Sequence, residues 1–187
     1  MSEPVDHEVT RLIEAWRGGD VAAREQLIER VYLNVRAIAA QSLRRMPNVT
    51  LSATDLAHEA LIRMLGAQGD WENRKHFFHV AAQATRQVLV DAARKRLADK
   101  RGGGAERVVL DEALDLADPG NDADLLRIDA ALRDLSGTDA RRAQMVELVY
   151  FGGLSRAEVA AALSVSEGTV DRDLRLARAW LRTALEA

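Results

Sequence analysis

The chain has no cysteine, three prolines and only 4% aromatic residues among its 187 positions. The missing thiols exclude disulfides and thiolate metal sites, and they suit a reducing compartment. Pro4, Pro47 and Pro119 leave long stretches without the residue that most strongly breaks helices. Alternating β-branched runs of useful length are also missing, which removes the basis for a sheet. No apolar run approaches the roughly 20 residues of a membrane span, and the opening Met1-Ser2-Glu3-Pro4-Val5-Asp6 is acidic and polar, unlike a signal peptide. A cytoplasmic protein without membrane insertion is the expectation. There is no glycine-rich phosphate loop and no serine in a nucleophile elbow, so no enzyme, no catalytic residue and no cofactor are expected. His76 and His79 are three apart but lack a placed acidic partner, and no metal site is nominated.

What is abundant is Ala, Leu, Arg and Glu, and the expected class is all-α. The formal net charge of -3, taken as a sum, argues against a nucleic-acid partner. Its distribution argues the other way. Arg94, Lys95, Arg96, Lys100, Arg101 and Arg107 cluster against only Asp99 and Glu106, and Asp111, Glu112, Asp115, Asp118, Asp122 and Asp124 follow with no basic residue among them. Such a sign change is expected where a DNA-facing helix gives way to a solvated linker.

Apolar spacing marks a helix from Val5 to Trp16, ended by Gly18-Gly19, and a second capped by Asp20 that runs to about Arg45, ahead of Pro47. A third starts at Ser52 and ends near Gly66, with Leu56, Ala60, Leu61 and Met64 inward. Gln68 to Lys75 reads as a loop, and a long helix follows from about Lys75 to Arg96. Gly102-Gly103-Gly104 and Pro119-Gly120-Asn121 bound an acidic tether. Helical pattern resumes at Leu125, with another helix from Ala143 to Phe151. Two small helical domains joined by a flexible acidic linker are therefore expected: residues 5–97, linker 98–124, and 125–187. The linker could compete for the basic surfaces of the free chain.

The tail reads as a helix-turn-helix. Ser155 and Glu158 form a capping box, Val159, Ala160 and Leu163 face inward, Ser164-Val165-Ser166 turns the chain, and Ser166 can cap the second helix. In that helix Arg172, Arg175, Arg178 and Arg182 make a basic stripe opposite Val170, Leu174, Ala177 and Leu181. Ser166, Thr169, Asp171, Arg172, Arg175 and Arg178 are the candidate duplex contacts, with Arg172 and Arg175 suited to guanine. Trp180 is expected in the core. On the long helix Gln83, Arg86 and Gln87 share a face and offer donors to bases or phosphates, while Arg94, Lys95 and Arg96 suit backbone contacts. The preceding loop adds Trp71, Asn73, Arg74 and Lys75, where an aromatic beside donors could hold an unpaired base or simply pin the loop.

Taken together, Thr54 to Met64, Phe77 to Arg96 and Val149 to Arg178 resemble the σ70-type initiation factors of bacterial RNA polymerase, in particular the compact extracytoplasmic-function group. The resemblance implies a σ2-like domain at 5–97 that binds core polymerase and recognises and melts the −10 element, and a σ4-like helix-turn-helix domain at 125–187 that reads the −35 element. It implies as partners core RNA polymerase, through the coiled coil and flap of its large subunits, and promoter DNA. It assigns Asp55, Leu56, Glu59, Ile62 and Arg63 to polymerase binding, and Trp71, Asn73, Arg74, Lys75, Gln83, Arg86, Gln87, Arg94 and Lys95 to the −10 element.

One segment departs from that pattern. Many of these factors open the polymerase-binding helix with an acidic run, whereas Ser52-Ala53-Thr54-Asp55 carries one carboxylate and two hydroxyls. Ser52 with Asp55 is a capping box whatever else it does. A phosphate on Thr54 or Ser52 would supply the missing charge at a helix N-terminus, which fits the branch of the family switched by a Ser/Thr protein kinase. The competing reading is a stand-alone helix-turn-helix regulator that binds an operator as a dimer.

Overall fold

The computed structural model describes residues 11–12, 14–44, 52–66, 74–99 and 122–186. The described residues are helical apart from short turns, in agreement with the all-α expectation. The expected loop residues Trp71 and Asn73, the start of the first helix at 5–10 and the linker from 100 to 121 lie outside them.

Helical residues 14–17 lead through Gly18-Gly19 into α1, Val21–Arg44. Asp20 caps α1 as expected, its Oδ1 accepting from the N–H groups of Ala22 and Ala23 at 2.9 and 3.2 Å. α2, Ala53–Gly66, is opened by the Ser52–Asp55 box: Asp55 N donates to Ser52 Oγ at 3.1 Å, and Ser52 Oγ donates to Asp55 Oδ2 at 2.7 Å. α3, Arg74–Asp99, is longer than its apolar stripe suggests by about a residue at the start and three at the end.

Ala23, Leu27, Val35 and Ala39 of α1 meet Leu56, Ala57, Ala60 and Met64 of α2 and the apolar side chains of α3. On α3, Phe77 is fully buried, while Phe78 packs edge-on to it at 5.2 Å and stays partly buried. Each fully buried Leu contributes about 1.5 to 3 kcal/mol relative to an exposed one.

α3 is buried on more than one side. Phe77, Ala81, Ala84 and Val88 recur at four and three residues and form one strip; Ala82, Leu89 and Ala93 form a second. Two buried strips mean two neighbours. α3 packs against α2 and α1, and also against α4 (Asp122–Thr138), α5 (Ala140–Tyr150) and α6 (Arg156–Leu163). Leu125, Ile128, Leu132 and Leu135 of α4, Met145 and Leu148 of α5, and Val170, Leu174, Ala177 and Leu181 of α7 (Glu167–Glu186) complete the buried set. Arg127 of α4 donates to the Leu185 carbonyl near the end of α7. The described helices thus share one contiguous hydrophobic core, with α3 in its middle.

Between α5 and α6 the chain turns on Gly152-Gly153. A Cβ at Gly152 would lie 2.5 Å from the Leu148 carbonyl oxygen, and Gly153 sits at φ +65°. Ser155 then caps α6, accepting from Glu158 N while the Glu158 carboxylate accepts from Ser155 N at 2.7 Å. Ser164, at φ 55°, ends α6 in the left-handed region, and its N–H donates to the Ala160 and Ala161 carbonyls. Ser166 starts α7, its Oγ accepting from Thr169 N at 3.1 Å. The helix-turn-helix read from the tail is present with its caps.

Candidate nucleic-acid interface

The outward face of α7 carries Arg172, Arg175 and Arg182, all exposed, opposite the buried Val170, Leu174, Ala177 and Leu181. Arg178 is only partly exposed, and its Nε is buried without a hydrogen-bond partner. Thr169 shares its hydroxyl with Ser166 at 2.9 Å, and Asp171 pairs with Arg156 of α6 at 3.0 Å, so both brace the turn. Trp180 packs against the core, as expected. Leu176 was not in the sequence-derived set, yet it is 45% exposed, one residue from Arg175. An apolar residue amid polar side chains on a groove-sized helix is suited to a thymine methyl. The helical spacing that places Leu176 outward was the signal available for it.

α7 also hides a charge. Asp173 is 1% exposed and is held by Arg141 at 2.6 Å, with Arg142 and Arg172 at 3.7 and 3.8 Å. Arg141 and Arg142 sit in the first turn of α5, so the carboxylate ties α7 to it. A charged residue on the apolar side of an amphipathic helix was the visible clue.

On α2, Glu59 and Ile62 are exposed, Ile62 by 64%, and Arg63 bonds Glu59 and reaches Asp91 of α3 at 2.8 Å. Asp55 is exposed and engaged in its capping box. Leu56 is wholly buried and reaches no surface. Thr54 is half-buried in the first turn of α2.

The −10 candidates on α3 fall into two groups. Lys75, Gln87 and Lys95 are exposed. Arg74 opens the helix, its side chain outside the described set. Gln83 and Arg86 are at a seam with α4 and α5, around a cavity of about 330 Å³ that Gln144 and Glu147 also line. Arg86 is almost fully withdrawn from solvent: its Nη1 is 2.7 Å from Glu147 Oε1 and its Nε 3.5 Å from Asp129 Oδ1. Arg94 pairs with Asp91 and lies 3.7 Å from Asp129, Arg133 pairs with Asp129 at 2.7 Å, and Arg96 pairs with Asp122 at 2.5 Å. Sequence reading offered Arg86, Arg94 and Arg96 as open donors, but in the described chain each already has a carboxylate. Asp129 and Glu147 each interrupt an apolar helical pattern, which is the only mark of them in the sequence. Of the expected linker carboxylates, Asp111, Glu112, Asp115 and Asp118 lie outside the described set, whereas Asp122 and Asp124 fall in the first turn of α4, where Asp122 pairs with Arg96; Asp129 and Glu147 lie beyond the expected linker, on α4 and α5.

The seam perturbs two groups. Burial raises the Glu147 carboxyl above its ordinary value, with Arg86 opposing and Asp129 adding to the rise. Burial also lowers the His79 imidazole, helped by the positive charge of His76, Lys75 and Arg86. Glu147 stands 3.8 Å from His79 Nδ1, too far for a hydrogen bond, and does not reverse that direction.

Among the described residues no group of three His, Asp or Glu side chains could hold a metal ion, and no helix is long and apolar enough to cross a membrane. No curated protein matches the chain. The family model described as ECF sigma factor matches residues 6–187. The match spans nearly the whole chain, and the chain belongs to the ECF sigma factors of the σ70 family, which bring core RNA polymerase to promoter DNA.

Proposed function

We propose that the two halves of the chain divide promoter recognition, residues 5–97 acting as a σ2-like unit on core polymerase and the −10 element, and residues 125–187 as a σ4-like reader of the −35 element, with 98–124 as the tether. The observation that carries the −35 assignment is the exposed arginine face of α7 on a rigid, doubly capped turn. Arg172 and Arg175 contact base edges in the major groove, while Ser166, Thr169, Asp171 and Arg178 set the entry of the helix. Gln83, Arg86 and Gln87, with Arg94 and Lys95, take the −10 strand, and Trp71, Asn73, Arg74 and Lys75 take an unpaired base.

Polymerase docks on α2. The exposed Ile62 beside Glu59 and Arg63 supports this, since a large apolar residue in a charged surround suits a helix-on-helix contact. The segment ahead of it has one carboxylate. Phosphorylation of Thr54 by a Ser/Thr kinase completes the charge. Thr54 is favoured over Ser52, whose hydroxyl is already committed to Asp55; a phosphate there would dismantle the box, whereas one at Thr54 joins the helix N-terminus.

The test is reconstituted transcription with core polymerase, using unmodified chain, Thr54→Ala and Thr54→Glu. Promoter-specific initiation that requires core polymerase, and a gain for Thr54→Glu over Thr54→Ala, are the expected results. Equal polymerase affinity in all three forms removes the switch. Failure of unmodified and phosphorylated chain to bind core, with operator binding as a dimer, would select the stand-alone regulator instead.

A further inference from the structure

One buried carboxylate gathers arginines from two helices beside the outward face of α7. Asp173 stands on the inner side of α7, and Arg141 Nη2, from the first turn of α5, donates to its Oδ2 at 2.6 Å. Arg142 Nε and Arg172 Nε lie 3.7 and 3.8 Å from its Oδ1. The three arginines are not equivalent. Arg142 is also held by Asp139 at 3.2 Å, and its Nε is buried without a hydrogen-bond partner, so it braces the turn into α5. Arg141 and Arg172 are 53% and 64% exposed. Each is anchored at one end of its guanidinium and keeps the rest in solvent.

Stability alone does not account for this arrangement. A carboxylate on the apolar strip of α7 loses its hydration on burial, and an apolar residue of similar volume often stabilises as well or better. Two arginines in the first turn of α5 also oppose the positive end of that helix. What the carboxylate provides is position. A guanidinium carries five N–H donors in a rigid fork, and giving one of them to Asp173 leaves the others at a fixed distance from α7.

We propose that Arg141 is a phosphate contact of the −35 duplex, and that Asp173 is a positioning residue that sets Arg141 on the backbone and Arg172 on base edges in one register. The inference rests on the assignment of α7 to the −35 element. Arg141 belongs to α5, outside the helix-turn-helix, so it meets the sugar-phosphate edge beside the groove that α7 enters. Contacts of that kind fix orientation and carry no sequence information. Because one carboxylate stands behind both groups, the backbone contact helps to set which base pair Arg172 meets.

The test uses the full chain in complex with core polymerase, so that differences between variants cancel the binding of the core itself. The probes are a short duplex of mixed sequence and a pool of randomised duplexes from which each variant selects its preferred bases. Arg141→Gln keeps an N–H for Asp173 and removes the charge. It should weaken binding to the mixed duplex severalfold and lower the slope of log affinity against log salt by about one, with the selected bases unchanged. Arg141→Lys, which keeps a point charge, should restore most of that slope. Asp173→Asn should lose the same slope and also relax selection at the base read by Arg172, and Arg141→Gln added to it should lower the slope no further. Circular dichroism at the assay temperature checks folding; where Asp173→Asn does not fold, Arg141→Gln against Arg141→Lys decides. A folded Arg141→Gln with the wild-type slope overturns the phosphate contact, and a folded Asp173→Asn with wild-type slope and selection overturns the positioning. The −35 assignment is read from Arg172→Ala and Arg175→Ala. If neither alters affinity or selection, that assignment fails; if either does and Arg141→Gln does not, only the role of Arg141 falls.

Discussion

Single residues carry opposite pH signatures at the seam. His79 has a lowered pKa, so the folded chain favours its neutral form and the unfolded chain binds more protons below the ordinary value of 6.5. Stability from this residue is complete above that value and is lost as the pH falls through the window beneath it. Glu147 acts in the other sense: its raised pKa gives stability that is present below its ordinary 4.5 and is lost as the pH rises through the raised value. His79→Gln keeps Glu147, Arg86, His76 and Lys75 in place and isolates the imidazole. Melting of both proteins from about pH 7.5 to about pH 5.5 should show the wild type losing ground to His79→Gln on the acid side; parallel curves would contradict the assignment. Asp173 is the other informative residue. Asp173→Ala leaves Arg141 and Arg142 without their buried carboxylate, and the cost should be about 1 to 3 kcal/mol, less than for a fully buried pair because Arg141 is half exposed. Denaturant midpoints measure it, and a loss within experimental error would mean that the arginines find other acceptors.

Among the elements, the helix-turn-helix depends on its boundaries more than on its length. α6 is only 8 residues long, too short to hold without caps and packing. Ser155→Ala should cost about 1 kcal/mol by removing the capping acceptor. Gly152→Ala forces a Cβ against the Leu148 backbone and should cost more than the αL penalty of about 1 kcal/mol that Gly153→Ala incurs at its positive φ. Urea melts of the three variants give the order; an equal or reversed cost at the two glycines would show that the turn can relax. These elements were legible in the sequence for the reason that makes them testable. Caps such as Asp20, Ser52, Ser155 and Ser166 act over two or three residues, and the buried strips of α2 and α7 repeat at helical spacing. Arg86 shows the limit. Its helix and face follow from local pattern, but its partners lie 43 and 61 positions away on α4 and α5, where nothing local to α3 announces them. The same holds for the second buried strip of α3, which reads as a loss of amphipathicity until the neighbour is known.

At the scale of the whole molecule α3 is the shared wall of both halves, and the two helical groups of the described chain have a common core. Such an arrangement has a thermodynamic consequence. If one half unfolds, α3 loses one of its two apolar supports and Arg86 and Glu147 lose each other, so the halves should melt as a unit. The apolar contacts alone do not guarantee this, because the seam is where charge is densest. Asp129→Asn with Glu147→Gln leaves Arg86 nearly buried with no carboxylate, and a buried unpaired charge costs about 3 to 5 kcal/mol. The least expensive escape for that charge is separation of the halves. Calorimetry should therefore record one transition for the wild type, with calorimetric and van't Hoff enthalpies in agreement, and two for the variant, the first at a lower temperature. Salt provides an independent control on the same samples. The Arg86 pair is too buried to be screened, whereas Arg94 and Arg133 are more than half exposed, so roughly 1 M salt should move the wild-type midpoint only slightly and leave a single transition. A variant that still melts once, at the wild-type midpoint, would mean that the seam charges contribute no coupling and that the shared apolar core holds the two halves together without them.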